Sequence, residues 1–246
     1  RKIPVWSLLI LLALMGLGTA CQLRKISPQA RHGAGMAYDP VGKQVLLFGG
    51  RGSGSVVGDL YDDLWALDLE KQTWKKLDPA PGPERRISPG MVYDPSHHQL
   101  ILFGGYRNSG RVNDTWLFDL DSNEWQEVFP PVSPPERSDM GLAYDEENQV
   151  VVLFGGYCLD FERDVCHDTW IFDPALNEWM EMEPVSSPPV MYGHSLDYDP
   201  QENTFLLFGG HMSQYSQGGM SSAGYNNSIW SYSYQENNWV EIPPDG

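Results

Sequence analysis

The pattern of hydrophobic and polar positions repeats four times along the chain. Each copy has four or five consecutive apolar residues followed by two glycines, and the four runs end at Gly50, Gly105, Gly156 and Gly210. A tryptophan follows each glycine pair, and a second tryptophan lies nine residues after the first. The repeated positions are Gly49, Gly50, Gly104, Gly105, Gly155, Gly156, Gly209, Gly210, Trp65, Trp74, Trp116, Trp125, Trp170, Trp179, Trp230 and Trp239. One structural unit therefore occurs four times.

Each copy predicts four short β-strands. The first strand, such as residues 90–93, is joined to the second by a turn rich in Asp, Pro, Gly and Asn. The second strand, such as residues 100–103, is uniformly apolar, and only burial on both faces explains that composition. The third and fourth strands each contain one of the two tryptophans and form a hairpin. The sheets are therefore expected to pack against one another.

The glycine pair predicts a special backbone conformation at the end of the second strand. Glycine has no Cβ, so it can adopt a positive φ or allow a neighbouring backbone to come close. We expect the second strand to end there in a sharp turn. Substitution of Gly50 or Gly105 by Val is expected to damage folding.

The first glycines of the four pairs are 55, 51 and 54 residues apart. A period near 50 residues is that of kelch arrays, and over residues 31–242 the chain resembles the kelch repeat of β-propeller proteins. The resemblance implies an all-β fold, a kelch-type β-propeller with four four-stranded blades in this chain. The predicted blades are residues 31–77, 86–128, 137–182 and 191–242. Kelch propellers usually have six or seven blades, so we expect a truncated reading frame and an incomplete ring; a small four-bladed ring and a partner that supplies further blades are the alternatives.

The N-terminus predicts a targeting signal. Residues 1–20 contain two basic residues, an apolar run from Val5 to Leu17 and small residues up to Ala20, which is typical of a secretory signal peptide. The end of this segment also resembles a bacterial lipobox, which would make Cys21 a lipid anchor and residues 21–30 a tether, although Gly18 departs from the commonest pattern. Ordinary cleavage after Ala20 and an uncleaved anchor are the alternatives. The expected location is secreted or membrane-anchored at the cell envelope, in the periplasm or outer membrane if the protein is bacterial.

The charge of the chain argues against nucleic acid as a partner. There are 33 acidic and 16 basic residues, giving a formal net charge of -17. Nucleic-acid binding needs clustered Lys and Arg, and no such cluster occurs after the first 25 residues. Contact with a membrane is expected only through the N-terminal segment.

The loops between the second and third strands, called the B–C loops, differ among the repeats while the surrounding sequence is similar. Such variation indicates the working face of the propeller. They comprise residues 51–62, 106–113, 157–167 and 211–227, and contain rigid aromatic and guanidinium side chains suited to sugars, carboxylates or peptides. The candidate binding residues are Arg51, Tyr106, Arg107, Tyr157, His211, Tyr215 and Tyr225, with Arg111 and Arg163 in the same loops.

Two cysteines lie in the third B–C loop. In an oxidising envelope, Cys158 and Cys166 are expected to form a disulfide. A metal site with His167 is the alternative, but further ligands are not nearby. The alternating acids between the cysteines are interpreted as surface charge. No metal or cofactor is expected.

Arg31, Arg86 and Arg137 recur just before the first strands, whereas Met191 occupies this place in the fourth repeat. Such repetition favours a structural ion pair with a repeated acid over a binding role. His194 is interpreted as a packing residue.

These features together predict a binding scaffold at the cell envelope that recognises a protein or glycan partner through the B–C loops. The alternative is a carbohydrate-active envelope enzyme, since the resemblance also extends to galactose oxidase-like oxidases and sialic acid mutarotases. The catalytic set of the oxidases cannot be placed on this sequence, and no motif decides for or against a mutarotase. An enzyme is the less favoured interpretation.

Overall fold

The computed structural model describes residues 26–53, 59–77, 79, 81–158, 165–216 and 219–243, and within residues 213–223 only the backbone. The predicted signal peptide, Cys21 and Arg163 lie outside these ranges. The described residues form β-strands and turns. Among them, no helix is long and apolar enough to cross a membrane.

The four repeats form four antiparallel sheets, which we call blades 1 to 4. The four main strands of each blade are called A to D in chain order. Blade 1 and its flanking strands comprise β1 (Arg31–His32), β2 (Gly35–Asp39), β3 (Gln44–Phe48), β4 (Arg51–Gly52), β5 (Leu64–Asp68) and β6 (Thr73–Leu77). Blade 2 comprises β7 (Gly90–Asp94), β8 (Gln99–Phe103), β9 (Tyr106–Arg107), β10 (Gly110–Arg111), β11 (Thr115–Asp119) and β12 (Glu124–Val128).

Blades 3 and 4 have the same order with longer B strands. Blade 3 comprises β13 (Arg137–Ser138), β14 (Gly141–Asp145), β15 (Val150–Cys158), β16 (Val165–Asp173) and β17 (Glu178–Met182). Blade 4 comprises β18 (Met191–Asp199), β19 (Thr204–Ser216), β20 (Gly219–Tyr225), β21 (Ile229–Ser233) and β22 (Asn238–Ile242). Strands A, B, C and D are β2, β3, β5 and β6 in blade 1 and β7, β8, β11 and β12 in blade 2. They are β14, β15, β16 and β17 in blade 3 and β18, β19, β21 and β22 in blade 4. In every blade these strands pair in the order A, B, C, D.

The blades pack face to face, and each interface is one hydrophobic cluster. Strand A of each blade contacts strand A of the next, and the four A strands line an open cavity of about 500 Å³. The B strands lie in the middle of the stack, and residues 100–103 are fully buried. Residues 150–154 of blade 3 are buried as well, which confirms the prediction of burial on both faces for blades 2 and 3. The prediction is wrong for strand B of blade 4, where Leu206 and Phe208 are 38% and 54% exposed because no described blade packs on that face.

The glycine pairs have the predicted positive φ in all four repeats, for example +62° at Gly104 and +106° at Gly105. The prediction that they end strand B is correct for blades 1 and 2 and wrong for blades 3 and 4. In blade 3 the strand continues after a register shift between Phe154 and Gly156. It continues because the residues beyond the pair find backbone partners on both sides: Cys158 pairs with Arg137, and Tyr157 pairs with Val165.

Candidate functional site

In blades 2, 3 and 4 the described parts of the B–C segments form β-hairpins. In blade 2, Tyr106 pairs with Arg111 across the β9–β10 hairpin. In blade 4, His211 pairs with Tyr192 on one side and with Tyr225 on the other. These hairpins hold aromatic side chains on β-strands, whose positions are fixed more firmly than those of loop residues.

Aromatic and cationic side chains from blades 2, 3 and 4 form one continuous row of ring contacts. The Arg111 guanidinium carbon lies 3.8 Å from the centroid of the Tyr157 ring and 5.3 Å from that of Tyr106. The Tyr157 ring meets Tyr192 edge to face at 5.3 Å. We call this row the aromatic ladder, and its members are Tyr106, Arg111, Tyr157, Tyr192, His211 and Tyr225.

The far end of the ladder is open to solvent. Ring centroids of Tyr192 and His211 are 5.0 Å apart, and those of His211 and Tyr225 are 5.4 Å apart. Tyr225 is 82% exposed, whereas the other members are half-buried. Half-buried aromatic rings on a fixed backbone offer apolar area at a low entropic cost, which is what a binding surface requires.

Polar groups fix the position of Arg111, and burial favours the protonated form of Tyr192. Arg111 Nε donates to Ser138 Oγ at 3.3 Å, and Ser138 Oγ donates to Asp139 Oδ2 at 2.7 Å. Burial, followed by the nearby Tyr157, Asp139 and Tyr225, raises the pKa of Tyr192 above its ordinary value. Tyr192 therefore carries its hydroxyl proton at neutral pH and can donate a hydrogen bond to a bound partner.

The ladder contains four of the sequence-predicted candidates, namely Tyr106, Tyr157, His211 and Tyr225. The structure does not bring Arg107 to it, because Arg107 contacts Asp114 and lies 3.5 Å from Glu84. Arg51 lies on β4 of blade 1, paired with His32. Tyr215 lies on β19, and its side chain is outside the described part of the structure.

Tyr192 is a member of the ladder that is not among the sequence-predicted candidates. This residue precedes the main part of strand A, at the position that His32, Ile87 and Ser138 occupy in the other repeats. The variation at that position, in an otherwise regular repeat, was the available signal.

The recurrent arginines have a structural role, as expected. Arg86 donates to both carboxylate oxygens of Asp114 at 2.6 and 2.8 Å and to the Gly104 carbonyl at 2.9 Å. The Trp116 indole N–H donates to the same carboxylate at 2.8 Å. Burial alone would raise the pKa of Asp114, but Arg86 and Trp116 outweigh it and hold that pKa below its usual value. The same contacts recur at Arg31 with Asp63 and at Arg137 with Asp168.

Cys158 and Cys166 form a disulfide, with their Sγ atoms 2.12 Å apart and their Cα atoms 5.8 Å apart. The bond joins β15 and β16 next to Tyr157, so it closes the hairpin that carries this member of the ladder. The acids of the intervening loop lie outside the described residues. Within the described residues, no group of three or more His, Cys, Asp or Glu is arranged to hold a metal ion.

Four-stranded antiparallel blades that stack around an axis lined by their A strands, with the glycine pair and two tryptophans in each, define a kelch-type β-propeller. The chain belongs to this family: the KLHDC2/KLHL20/DRC7 Kelch-repeats domain matches residues 18–210.

Several curated proteins from eukaryotes are similar to the chain. Mei4-dependent protein 6 of Schizosaccharomyces pombe is 26% identical over 73% of this chain and 28% of its own length. Putative adagio-like protein 2 of Oryza sativa subsp. japonica is 31% identical over 69% of this chain and 26% of its own length. F-box/kelch-repeat protein At1g51550 of Arabidopsis thaliana is 33% identical over 58% of this chain and 31% of its own length. The chain thus spans less than a third of each of these relatives.

Proposed function

We propose that this kelch propeller is a binding module whose partner is a protein that docks across the aromatic ladder. The observation that carries the proposal is the continuity of the ladder over three blades, from Tyr106 to Tyr225. Tyrosine and arginine are the residue types enriched where protein interfaces concentrate their binding energy. The surface combines them with hydroxyl donors and one well-exposed ring, so it can bury apolar area and still direct hydrogen bonds.

The charge of the chain favours a partner with a basic segment. The formal net charge is -17, and a field of this sign attracts cationic surfaces and speeds their association. The ladder adds the exposed ring of Tyr225, whose faces attract Lys and Arg side chains through cation–π contacts. The partner site would then be a short segment that mixes apolar and basic residues.

A photo-crosslinking amino acid placed at Tyr225 tests the proposal in extracts of the source cells. We expect a covalent adduct of discrete mass at this position and none when the same amino acid replaces Leu176, which is 65% exposed in the C–D turn of blade 3. The double substitution Tyr157→Ser and Tyr192→Ser should abolish the adduct at position 225 while the melting temperature stays close to that of the parent. Equal adducts at both positions, or an adduct that survives the double substitution, would exclude the ladder as the docking surface.

A glycan is the second ligand class, because sugar rings also stack on tyrosine faces. A glycan array with the purified chain distinguishes the two ligand classes. Binding to defined glycans that is lost in the Tyr157→Ser and Tyr192→Ser variant, without any protein adduct, would replace the protein partner by a glycan.

A location at the cell envelope is a separate proposal that depends only on residues 1–21. The relatives above come from a fungus and plants, so they lend no support to bacterial lipidation of Cys21. Mass spectrometry of the N-terminus tests the lipid anchor: an acylated Cys21 supports it, and an unmodified thiol or an intact N-terminus contradicts it.

A further inference from the structure

The second tryptophan of blades 2, 3 and 4 packs against the preceding blade. Between blades 2 and 3, the indole N–H of Trp179 donates to Thr115 Oγ1 at 3.0 Å. Between blades 3 and 4, Trp239 donates to Thr169 in the same way, at 2.9 Å. Buried N–H groups almost always have such an acceptor, because an unpaired one loses its hydrogen bonds to water without replacement. The first junction, between blades 1 and 2, departs from this rule.

The first junction has a leucine where the other two have a threonine. Leu64 precedes the first tryptophan of blade 1, at the position of Thr115 and Thr169 in the later blades. It is fully buried in the same hydrophobic cluster as Trp125. A leucine side chain accepts no hydrogen bond, and among the described residues no other group accepts one from the Trp125 indole N–H. Trp125 is 8% exposed, so this donor is nearly buried and available to an acceptor from outside the chain.

A second departure from the repeat lies beside the first. Gly82, in the spacer between blades 1 and 2, stands where the next two spacers have Ser133 and Ser187. A Cβ at Gly82 would lie 2.7 Å from Cδ1 and 3.3 Å from Nε1 of the Trp125 indole. The spacer approaches this edge of the ring because residue 82 has no side chain. Both departures therefore affect the same indole N–H.

A recess of about 260 Å³ lies against Trp125 at this junction. Its walls include Leu77, Pro79 and Pro83, and its polar groups are those of Asp62, Asp63 and Lys76. The volume is slightly below that of sites for drug-sized ligands, so it suits a single peptide unit. Asp63 already accepts from Arg31. Asp62 is 55% exposed and its ion pair with Arg85 is long, at 3.6 Å, so Asp62 can accept a further hydrogen bond.

We propose that this recess is a binding site for a peptide amide. The amide carbonyl oxygen accepts from the Trp125 indole N–H, and the amide N–H donates to the Asp62 carboxylate. Two carboxylates against one ammonium in the lining disfavour an anionic ligand. A sugar fits less well, because several of its hydroxyls would face the leucine and proline walls without partners. The recess is separate from the aromatic ladder and does not depend on the function proposed for it.

Hydrogen exchange tests whether the Trp125 N–H lacks an internal acceptor. In the ¹⁵N-labelled full chain the indole N–H groups give separate NMR signals, and Trp125→Phe identifies the signal of Trp125. We expect this N–H to exchange with deuterium about tenfold faster than those of Trp179 and Trp239, which are hydrogen-bonded inside the junctions. Leu64→Thr supplies the acceptor of the other junctions and should slow the exchange. Equal exchange rates of the three groups in the wild-type chain would overturn the proposal.

Titration with N-acetylprolinamide, followed on the same signals, tests the ligand class. We expect low-millimolar binding that moves the Trp125 proton signal downfield, as a new hydrogen bond does, and leaves the Trp179 signal in place. Leu64→Thr should abolish this shift because its hydroxyl occupies the donor. Gly82→Ser should abolish it as well, because the added side chain fills the recess.

Two acid substitutions complete the test with little risk to folding. Asp62→Ala should weaken the binding of N-acetylprolinamide about tenfold, since a charged acceptor is lost. Glu70→Ala removes another acid of blade 1, 68% exposed and paired with a base, and should leave the affinity unchanged. The melting temperature of each variant shows whether it is folded. Wild-type affinity in the folded Asp62→Ala variant, a shift by methyl α-D-glucopyranoside instead of the amide, or no shift with either probe would overturn the amide site.

Discussion

The Trp239 indole N–H donates a hydrogen bond of 2.9 Å to Thr169 Oγ1 across the junction of blades 3 and 4. Both residues are fully buried. The same bond, 3.0 Å long, joins Trp179 to Thr115 at the preceding junction. The second tryptophan of blades 2, 3 and 4 therefore connects its blade to the preceding one by an aromatic contact and, at these two junctions, by a directional polar contact.

Thr169→Val should lower the free energy of unfolding by about 1–3 kcal/mol, because it keeps the shape of the side chain but leaves the buried Trp239 N–H without its acceptor. Urea denaturation monitored by tryptophan fluorescence measures the change. Thr169→Ser keeps the hydroxyl and should cost less. If Ser and Val destabilise the protein equally, packing rather than the hydrogen bond maintains the junction.

Arg137→Met should be among the most destabilising single substitutions in the chain. It leaves the Asp168 carboxylate partly buried without its bidentate partner, whose contacts are both 2.7 Å long. Loss of one member of a buried ion pair costs about 3–5 kcal/mol. The shift of the urea midpoint gives the measured value.

Blade 4 provides the matched control for this prediction. It has Met191 in place of the arginine and Ser228 in place of the acid, two residues before Trp230. The double variant Arg137→Met and Asp168→Ser copies this solution and removes the uncompensated charge, so it should be more stable than Arg137→Met alone. A double variant as unstable as the single one would mean that the cost comes from lost packing around Arg137.

The repeat made most of the fold predictable, because each glycine pair and each tryptophan occupies one fixed place in a blade. The apolar B strands of blades 2 and 3 required burial on both faces, and the neighbouring blades provide it. The extension of strand B in blades 3 and 4 was not predictable, since it depends on backbone partners such as Arg137 that precede strand A and come into register only when the blade has formed.

The candidate site was predicted only in part. The B–C loops supplied Tyr106, Tyr157, His211 and Tyr225. Tyr192 meets His211 through the pairing of β18 with β19, and it meets Tyr157 because blade 4 packs on blade 3. A linear pattern contains neither proximity. Arg107 is a candidate binding residue by its residue type alone. The folded chain places Asp114 beside it, a pairing across the B–C segment that the sequence alone did not distinguish from a free guanidinium.

Reduction of the disulfide should destabilise the protein and loosen the hairpin that carries Tyr157. A closed loop of nine residues corresponds to about 2–3 kcal/mol in the chain-entropy account. Thermal unfolding with and without a reductant measures the difference. The double variant Cys158→Ser and Cys166→Ser should show the lower stability in both conditions. If the reductant lowers the stability of this variant further, the loss caused by the reductant comes from another cysteine.

The pH dependence of stability between neutral and mildly acidic conditions should depend on His194. This side chain is buried, its ring meets Phe154 at 5.5 Å, and its Nε2 accepts the Gly141 N–H at 3.1 Å. Burial lowers the pKa of His194 from 6.5 to about 4 in the folded protein. Between these values the unfolded chain binds a proton that the folded chain does not, so the free energy of unfolding falls as the pH falls.

The expected loss from His194 between pH 7 and pH 4.5 is about 2 kcal/mol, at up to about 1.4 kcal/mol per pH unit. His194→Gln can still accept the Gly141 N–H but does not titrate, so its stability should depend less steeply on pH over this interval. Urea denaturation of both proteins at several pH values gives the two slopes, and their difference cancels the contribution of the other titrating groups. Identical slopes would show that His194 keeps the same pKa in the folded and unfolded states, and its burial would then have no part in the acid sensitivity of the propeller.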